Sequence, residues 1–365
     1  MKTLIISTSK FGSPVSDYYK TLAQEFVKDN FNVIFIFDGR TEQIPVNEKN
    51  IVYYTWPTKR PTKLTDFIFL FKIVKKHKPF LCISNFGSTN VMAIVSFLLN
   101  VENRINYVHT TISQLKMDSN SHFLKYKFLF YRKKMIYSLC TRLFTNSEGT
   151  KNDIWSNYSI NKSKISVFPL LLKRSKKKRI LNFEERRKEI LIIGRLHHSK
   201  GHEVLIKQFK ACLEKGLDLK LKIIGSGNLQ SNLEKLVVDL DIESRVSFLG
   251  NIINIEIYKE YRSSLIHISS SVEEAYGLVN IEALREGTPI ISTRTFGAKD
   301  ILKEGYNGEY FSHEDNFSLF LSISKILKNW ETYSRNSLQN FNEEYLIDFN
   351  IERHKNRILT LLKEA

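Results

Sequence analysis

Short apolar runs alternate with helical patterns along almost the whole chain, and this alternation limits the possible folds more than any other feature. Strand-like runs fit Thr3–Ser7, Asn32–Phe37, Ile51–Trp56, Phe80–Ser84, Arg104–His109 and Arg142–Asn146. Helical patterns at Val15–Lys28, Leu64–His77, Thr89–Leu99 and His122–Leu139 lie between them. The second half repeats the arrangement, with strands expected at Glu189–Ile193, Leu219–Ile224, Val246–Leu249, Leu265–Ser269 and Pro289–Thr293. Apolar strands joined through helices are built into parallel βαβ units. At 365 residues the chain is long for one core and sufficient for two. The division predicted is a first domain over 1–172, a basic linker over 173–182, a second domain over 183–340 and a closing segment over 341–365.

The segment from Leu265 to Pro289 carries the most chemistry. A buried strand leads to a turn bearing Glu274 and Gly277, and Leu278 to Glu286 then reads as a helix closed by Gly287 and Pro289. Backbone N–H groups at such a helix start, here those of Leu278 and Val279, favour a phosphate. Glu282 lies four residues into the helix, roughly 6 Å along its axis. That offset suits a ligand with phosphates at the helix end and a polyhydroxyl ring further along, as in a nucleotide sugar. Arg195 and Lys200 follow another strand and are flanked by Gly194 and Gly201. A planar guanidinium can grip two phosphate oxygens while an ammonium acts as a point charge.

This spacing of Glu274 and Glu282 resembles the E-x7-E signature of the family-4 glycosyltransferases, retaining enzymes of the GT-B fold. Ile193-Gly194-Arg195-Leu196-His197-His198-Ser199-Lys200-Gly201 is similar to that family's phosphate motif. Leu221-Lys222-Ile223-Ile224-Gly225-Ser226-Gly227, Val246–Gly250 and Ile290–Asp300 follow in the family's order. Asp300 stands where the family usually has Glu, and Phe168-Pro169-Leu170-Leu171 lacks its usual Pro-Asn-Gly turn. The resemblance implies an α/β fold of GT-B type: two Rossmann-like, doubly wound domains with parallel sheets facing across a cleft, the last helix crossing back to the first domain. It implies transfer of a sugar from a nucleoside diphosphate sugar to an acceptor hydroxyl, in assembly of cell-surface polysaccharide, lipopolysaccharide or glycolipid. Arg195, Lys200, Glu274 and His109 are then the catalytic candidates. Gly12, Gly194, Gly225, Gly277, Leu278, Val279 and Glu282 are the donor-binding ones. Glu282 is expected on the ribose hydroxyls and Glu274 on the donor sugar. His109 has a structural role as its alternative. No metal and no cofactor beyond the donor are expected, and Asp239-Leu240-Asp241 is read as a chance D-x-D at a helix end.

Charge is unevenly distributed. Residues 1–180 hold 30 Lys and Arg against 11 Asp and Glu, a net +19, while the remainder nets −2. The basic, aromatic-rich helices at 65–78 and 122–137 suggest an anionic inner-leaflet membrane surface as a partner, besides a saccharide or lipid-linked acceptor. Ordinary packed helices are the alternative reading. No apolar run approaches the ~18 residues of a membrane span. Three scattered cysteines read as buried thiols in a reducing compartment, so a cytoplasmic, peripheral protein is expected. Competing functions are another GT-B activity (sugar-phosphate synthase, phosphorylase or nucleotide-sugar epimerase) and, more distantly, a basic membrane- or nucleic-acid-binding module. Nucleic acid is not expected as a partner.

Overall fold

The computed structural model describes residues 1–41, 45–118, 123–175 and 179–364. The chain forms two compact units, one comprising Met1–Lys173 with the segment from Leu346 onward, the other Arg174–Tyr345.

The first unit is built on seven strands: β1 (Thr3–Ser7), β2 (Asn32–Phe37), β3 (Ile51–Thr55), β4 (Leu81–Asn85), β5 (Asn103–Val108), β6 (Arg142–Thr145) and β7 (Ile165–Val167). All pair in parallel in the order β3-β2-β1-β4-β5-β6-β7. Leu4, Ile5 and Ile6 of the interior strand β1 are fully buried, as a strand covered on both faces requires. Strand order reverses between β1 and β4, and in a doubly wound sheet the crevice at that switch point is where ligands bind.

The second unit repeats the plan with β8 (Arg187–Ile193), β9 (Lys220–Ile224), β10 (Val246–Phe248), β11 (Ser264–Ser269), β12 (Ile290–Ser292) and β13 (Gly308–Tyr310). The parallel order is β10-β9-β8-β11-β12-β13, so the switch point falls between β8 and β11. Its core gathers Ile190, Phe209, Leu221, Ile266, Ile323 and Trp330. Both sheets are of the Rossmann type.

Some elements differ from the sequence reading. β7 (Ile165-Ser166-Val167) and β13 (Gly308-Glu309-Tyr310) fall outside the expected set, each being three residues long with a polar residue at its centre. Helices Ile112–Asp118 and Glu148–Tyr158 add to the expected set, the second capped by Ser147, whose side chain accepts from Thr150 N. The helix expected from His122 begins at Phe123, His122 itself lying outside the described residues. Part of the stretch expected as a solvated linker is folded into the second unit. Ser175 donates to Glu286, Arg179 pairs with Glu185, and Ile180 lies against Gly287. Lys176–Lys178 lie outside the described residues. The stretch 341–345 is π-helical with Phe341 buried and stays with the second unit, so the return to the first unit falls at Leu346. Helix Ile347–Lys363 then packs on helix Pro14–Lys28, through a Tyr18–His354 hydrogen bond and a Lys355–Asp29 ion pair. Where the Pro-Asn-Gly turn is missing, Phe168 is fully buried and stacks on Phe144. All three cysteines are buried and unpaired, and no described helix is long and apolar enough to cross a membrane.

Candidate active site

The loops leaving β8 and β11 emerge at the switch point of the second unit, and they carry most of the residues singled out in the sequence. They are tied together by backbone. Ser270 Oγ donates to Lys200 O at 2.6 Å, Val272 N to Ser199 O at 2.9 Å, and Gly297 N to Glu274 O at 3.0 Å. Behind them the loop after β9 supports the β8 loop, Gly194 N donating to Ile224 O and Leu196 N to Ser226 O. Gly225 makes this approach possible. Its φ is +136°, and a Cβ there would stand 1.9 Å from Gly194 O. Gly225→Ala is therefore expected to destabilise the second unit by about 3 kcal/mol, read as a lowered urea midpoint, because backbone rather than a side chain would have to move.

Lys200 Nζ pairs with Glu274 Oε2, both side chains half-buried. Gly194 faces the stem of Lys200, whose Cγ and Cδ would be 3.8 Å from a Cβ at that position. Gly277 follows Glu274 in the left-handed region at φ +84° and starts helix Leu278–Arg285. The first backbone bond of that helix is Asn280 N to Gly277 O at 2.9 Å. The N–H groups of Leu278 and Val279 thus precede any intrahelical partner and can take an anion. Arg195 lies on the β8 loop, exposed, and makes no ion pair among the described residues.

One helical turn beyond Gly277, Glu282 is only 9% exposed, and its Oε2 accepts from Tyr261 OH at 3.2 Å. Burial pushes its pKa up to about 7, opposed by Arg285 and by the Tyr261 hydrogen bond. The carboxyl is thus poised between neutral and charged near neutrality. Arg285 lies over the Tyr258 ring at 3.8 Å and pairs with Glu286 at 3.1 Å.

Gly12 and His109 belong to the first unit, on the loop after β1 and just past β5. Gly12 has φ +78° with open space around it. The His109 ring stacks between Phe86 (centroids 4.2 Å apart) and Tyr107 (4.8 Å). Asn85 Nδ2 donates to Ser7 O, so its Oδ1 accepts from Tyr19 OH and from His109 Nε2. Asn146 Nδ2 donates to His109 Nδ1 at 3.2 Å. Both ring nitrogens are engaged, the imidazole is neutral, and burial holds its pKa down at about 3. The His109 ring is thus held in place on both edges and both faces, which suits a fixed wall beside the loop after β1.

Gly194, Lys200, Gly225, Glu274 and Gly277 thus form one connected group, with Glu282 a turn further along. Sequence reasoning missed Tyr261, Asn85 and Asn146, which hold functional candidates in place. No local motif marks them. Among the described residues no group of three or more His, Cys, Asp or Glu could hold a metal ion.

Two family models match the chain: "Glycosyltransferase Family 4" over residues 15–170 and "Glycosyl transferases group 1" over 173–343. The N-acetylgalactosamine-N,N'-diacetylbacillosaminyl-diphospho-undecaprenol 4-alpha-N-acetylgalactosaminyltransferase of Campylobacter jejuni is 26% identical, the match covering 83% of each chain. Among solved structures, sucrose-phosphate synthase from Thermosynechococcus elongatus superposes with a TM-score of 0.78 at 16% identity, covering all of both chains. Anabaena HepE in complex with UDP gives 0.74 at 16% identity, covering 99% of this chain and 100% of that one. The chain spans only 58–63% of the length of three uncharacterized glycosyltransferases, two of Methanocaldococcus jannaschii and one of Haemophilus influenzae, to which it is 28–29% identical. With one model filling each half on a pair of Rossmann-type sheets, the chain belongs to the GT-B glycosyltransferases of the family-4 and group 1 type.

Proposed function

We propose that this chain is a retaining, metal-independent glycosyltransferase that moves a sugar from a nucleoside diphosphate sugar to an acceptor hydroxyl during assembly of a polysaccharide or lipid-linked saccharide. The observation that carries this reading is the Lys200–Glu274 pair beside the open amide end of helix Leu278–Arg285, with the buried Glu282 one turn beyond. A diphosphate at that helix end meets N–H donors, Lys200 and the exposed guanidinium of Arg195. Glu282 then accepts from vicinal ribose hydroxyls, and Glu274 from hydroxyls of the transferred sugar.

In the reaction the bond between the anomeric carbon and the diphosphate oxygen breaks, and a bond from that carbon to the acceptor oxygen forms on the same face. The acceptor proton passes to a leaving phosphate oxygen. Negative charge grows on the diphosphate, so preorganised cations and helix N–H groups lower the barrier without a metal. The diphospho-undecaprenol acceptor in the name of the Campylobacter relative supports a lipid-linked or saccharide acceptor, assigned here to the first unit. The UDP in the Anabaena complex supports a nucleotide donor.

A panel of UDP- and GDP-sugars tested for thermal stabilisation of the purified protein decides the donor. A donor present at a hundredfold its Kd should stabilise by about 2.7 kcal/mol, a shift of several degrees in Tm. No shift with any nucleotide sugar would remove the donor reading. Release of nucleoside diphosphate only on adding acceptor separates transfer from epimerisation.

A further inference from the structure

The chemistry assigned above leaves one helical layer of the first unit unused. Helices Leu64–His77, Thr89–Leu98 and Phe123–Leu139 pack side by side. Their inner residues, among them Leu70, Ile73, Met92 and Tyr137, lie in the cores under the layer. Their outer residues are also apolar. Leu64, Ile68 and Phe71 face solvent from the first helix, Leu98 at 65% exposure from the second, and Leu124 at 81% and Phe128 at 66% from the third. An open groove of about 640 Å³, lined by Phe67, Phe71, Val95 and Leu98, runs between the first two helices and is rimmed by Lys72, Lys75 and Lys76.

The charge on these helices has one sign. Helix Phe123–Leu139 carries five basic residues between Lys125 and Lys134 and no acid, and Thr89–Leu98 has no charged residue. The only acid of the first helix is Asp66. It is fully buried and accepts from the backbone N–H groups of Thr58, Thr62 and Lys63. An ordinary soluble helix face mixes signs and keeps large aliphatic side chains inside. Here two helices interleave lysines with leucines and phenylalanines, and the uncharged helix Thr89–Leu98 between them adds exposed Phe97 and Leu98.

We propose that this layer docks on the surface of a bilayer containing anionic phospholipid, the lysines on headgroup phosphates and the apolar side chains in the acyl boundary. The charge complementarity requires an anionic partner, and exposed Leu64, Leu98 and Leu124 gain nothing from a polyanion alone. The proposal goes beyond the transferase reading and does not depend on it.

The test is co-sedimentation of the intact protein with phosphatidylcholine vesicles and with vesicles holding about 30 mol% phosphatidylglycerol. Binding is expected to the second kind only, weakening as salt shortens the screening length. Each lysine contact corresponds to about a fivefold change in partitioning, so Lys72→Gln, Lys75→Gln and Lys76→Gln together should cost roughly a hundredfold. Leu98→Ser with Leu124→Ser should also weaken binding, while the residual binding keeps the same salt dependence. Circular dichroism melting identifies any variant that fails to fold. Equal sedimentation with both vesicles, or none, overturns the proposal. So does full binding by the folded serine variant, which would mean recognition of a polyanion without insertion.

Discussion

Glu282→Gln is expected to raise the thermal stability of the protein above pH 7 while weakening donor binding by about a hundredfold, the loss of charge-assisted bonds to two hydroxyls. The two effects have one origin. The Glu282 carboxyl is buried, with Tyr261 OH as its hydrogen-bond donor, and burial pushes its pKa up to about 7 where an exposed glutamate titrates near 4.5. An acid whose pKa is raised by folding favours the fold when protonated. That contribution is complete below the ordinary carboxylate range and is lost as pH rises from about 4.5 through 7, a difference of about 3 kcal/mol. Glutamine is neutral at every pH and escapes the loss, so its advantage should appear in melting curves at pH 8 and vanish at pH 4. Donor binding runs the other way. Only the carboxylate accepts two hydroxyls well, so wild-type affinity should climb with pH until the group is ionised, and the variant should show no such rise. A pH-independent wild-type affinity would dissociate Glu282 from the ribose.

Much of this candidate site lies in continuous stretches, which is why its residues stand out in the sequence as a group. Strand, turn and helix from Leu265 to Arg285 follow one another, so the spacing of Glu274, Gly277 and Glu282 is a local property. The same holds for Gly194, Arg195 and Lys200 after β8. The supporting residues are not local. Tyr261 reaches Glu282 from the preceding helix, and Asn85 and Asn146 reach His109 from 24 residues before and 37 residues after it, brought there by the pairing of β4, β5 and β6. Nothing at those positions distinguishes them from ordinary polar residues. Composition also misleads in one place. The Lys- and Arg-rich stretch after Lys173 has the look of a solvated linker, yet Ser175 is held by the Glu286 carboxylate and Ile180 lies against Gly287 of the second unit.

Glu274→Gln is expected to separate nucleotide binding from transfer. The ammonium of Lys200 and the carboxylate of Glu274 pair with each other, and under the proposed function that pairing competes with a diphosphate for the lysine. Donor binding is then expected to exchange one contact for two, Lys200 turning to phosphate and Glu274 being released to the sugar. Removing the acid's charge lifts the competition, so a nucleoside diphosphate without its sugar should bind about fivefold tighter, equivalent to the ~1 kcal/mol of a partly exposed ion pair. Transfer should nevertheless fall by roughly 10²–10³, because the sugar loses its charged acceptor in the reacting geometry. Lys200→Met should weaken nucleotide binding and lower kcat by a similar 10²–10³, since the cation acts on charge that grows only as the bond breaks. The double variant should lose less than the two single losses combined, because once either partner is gone the exchange no longer exists. Calorimetric titration with nucleoside diphosphate, alongside single-turnover transfer, measures both sides. A Glu274→Gln protein that binds the nucleotide more weakly than wild type would mean that the pair is a structural brace and not a contact the donor displaces.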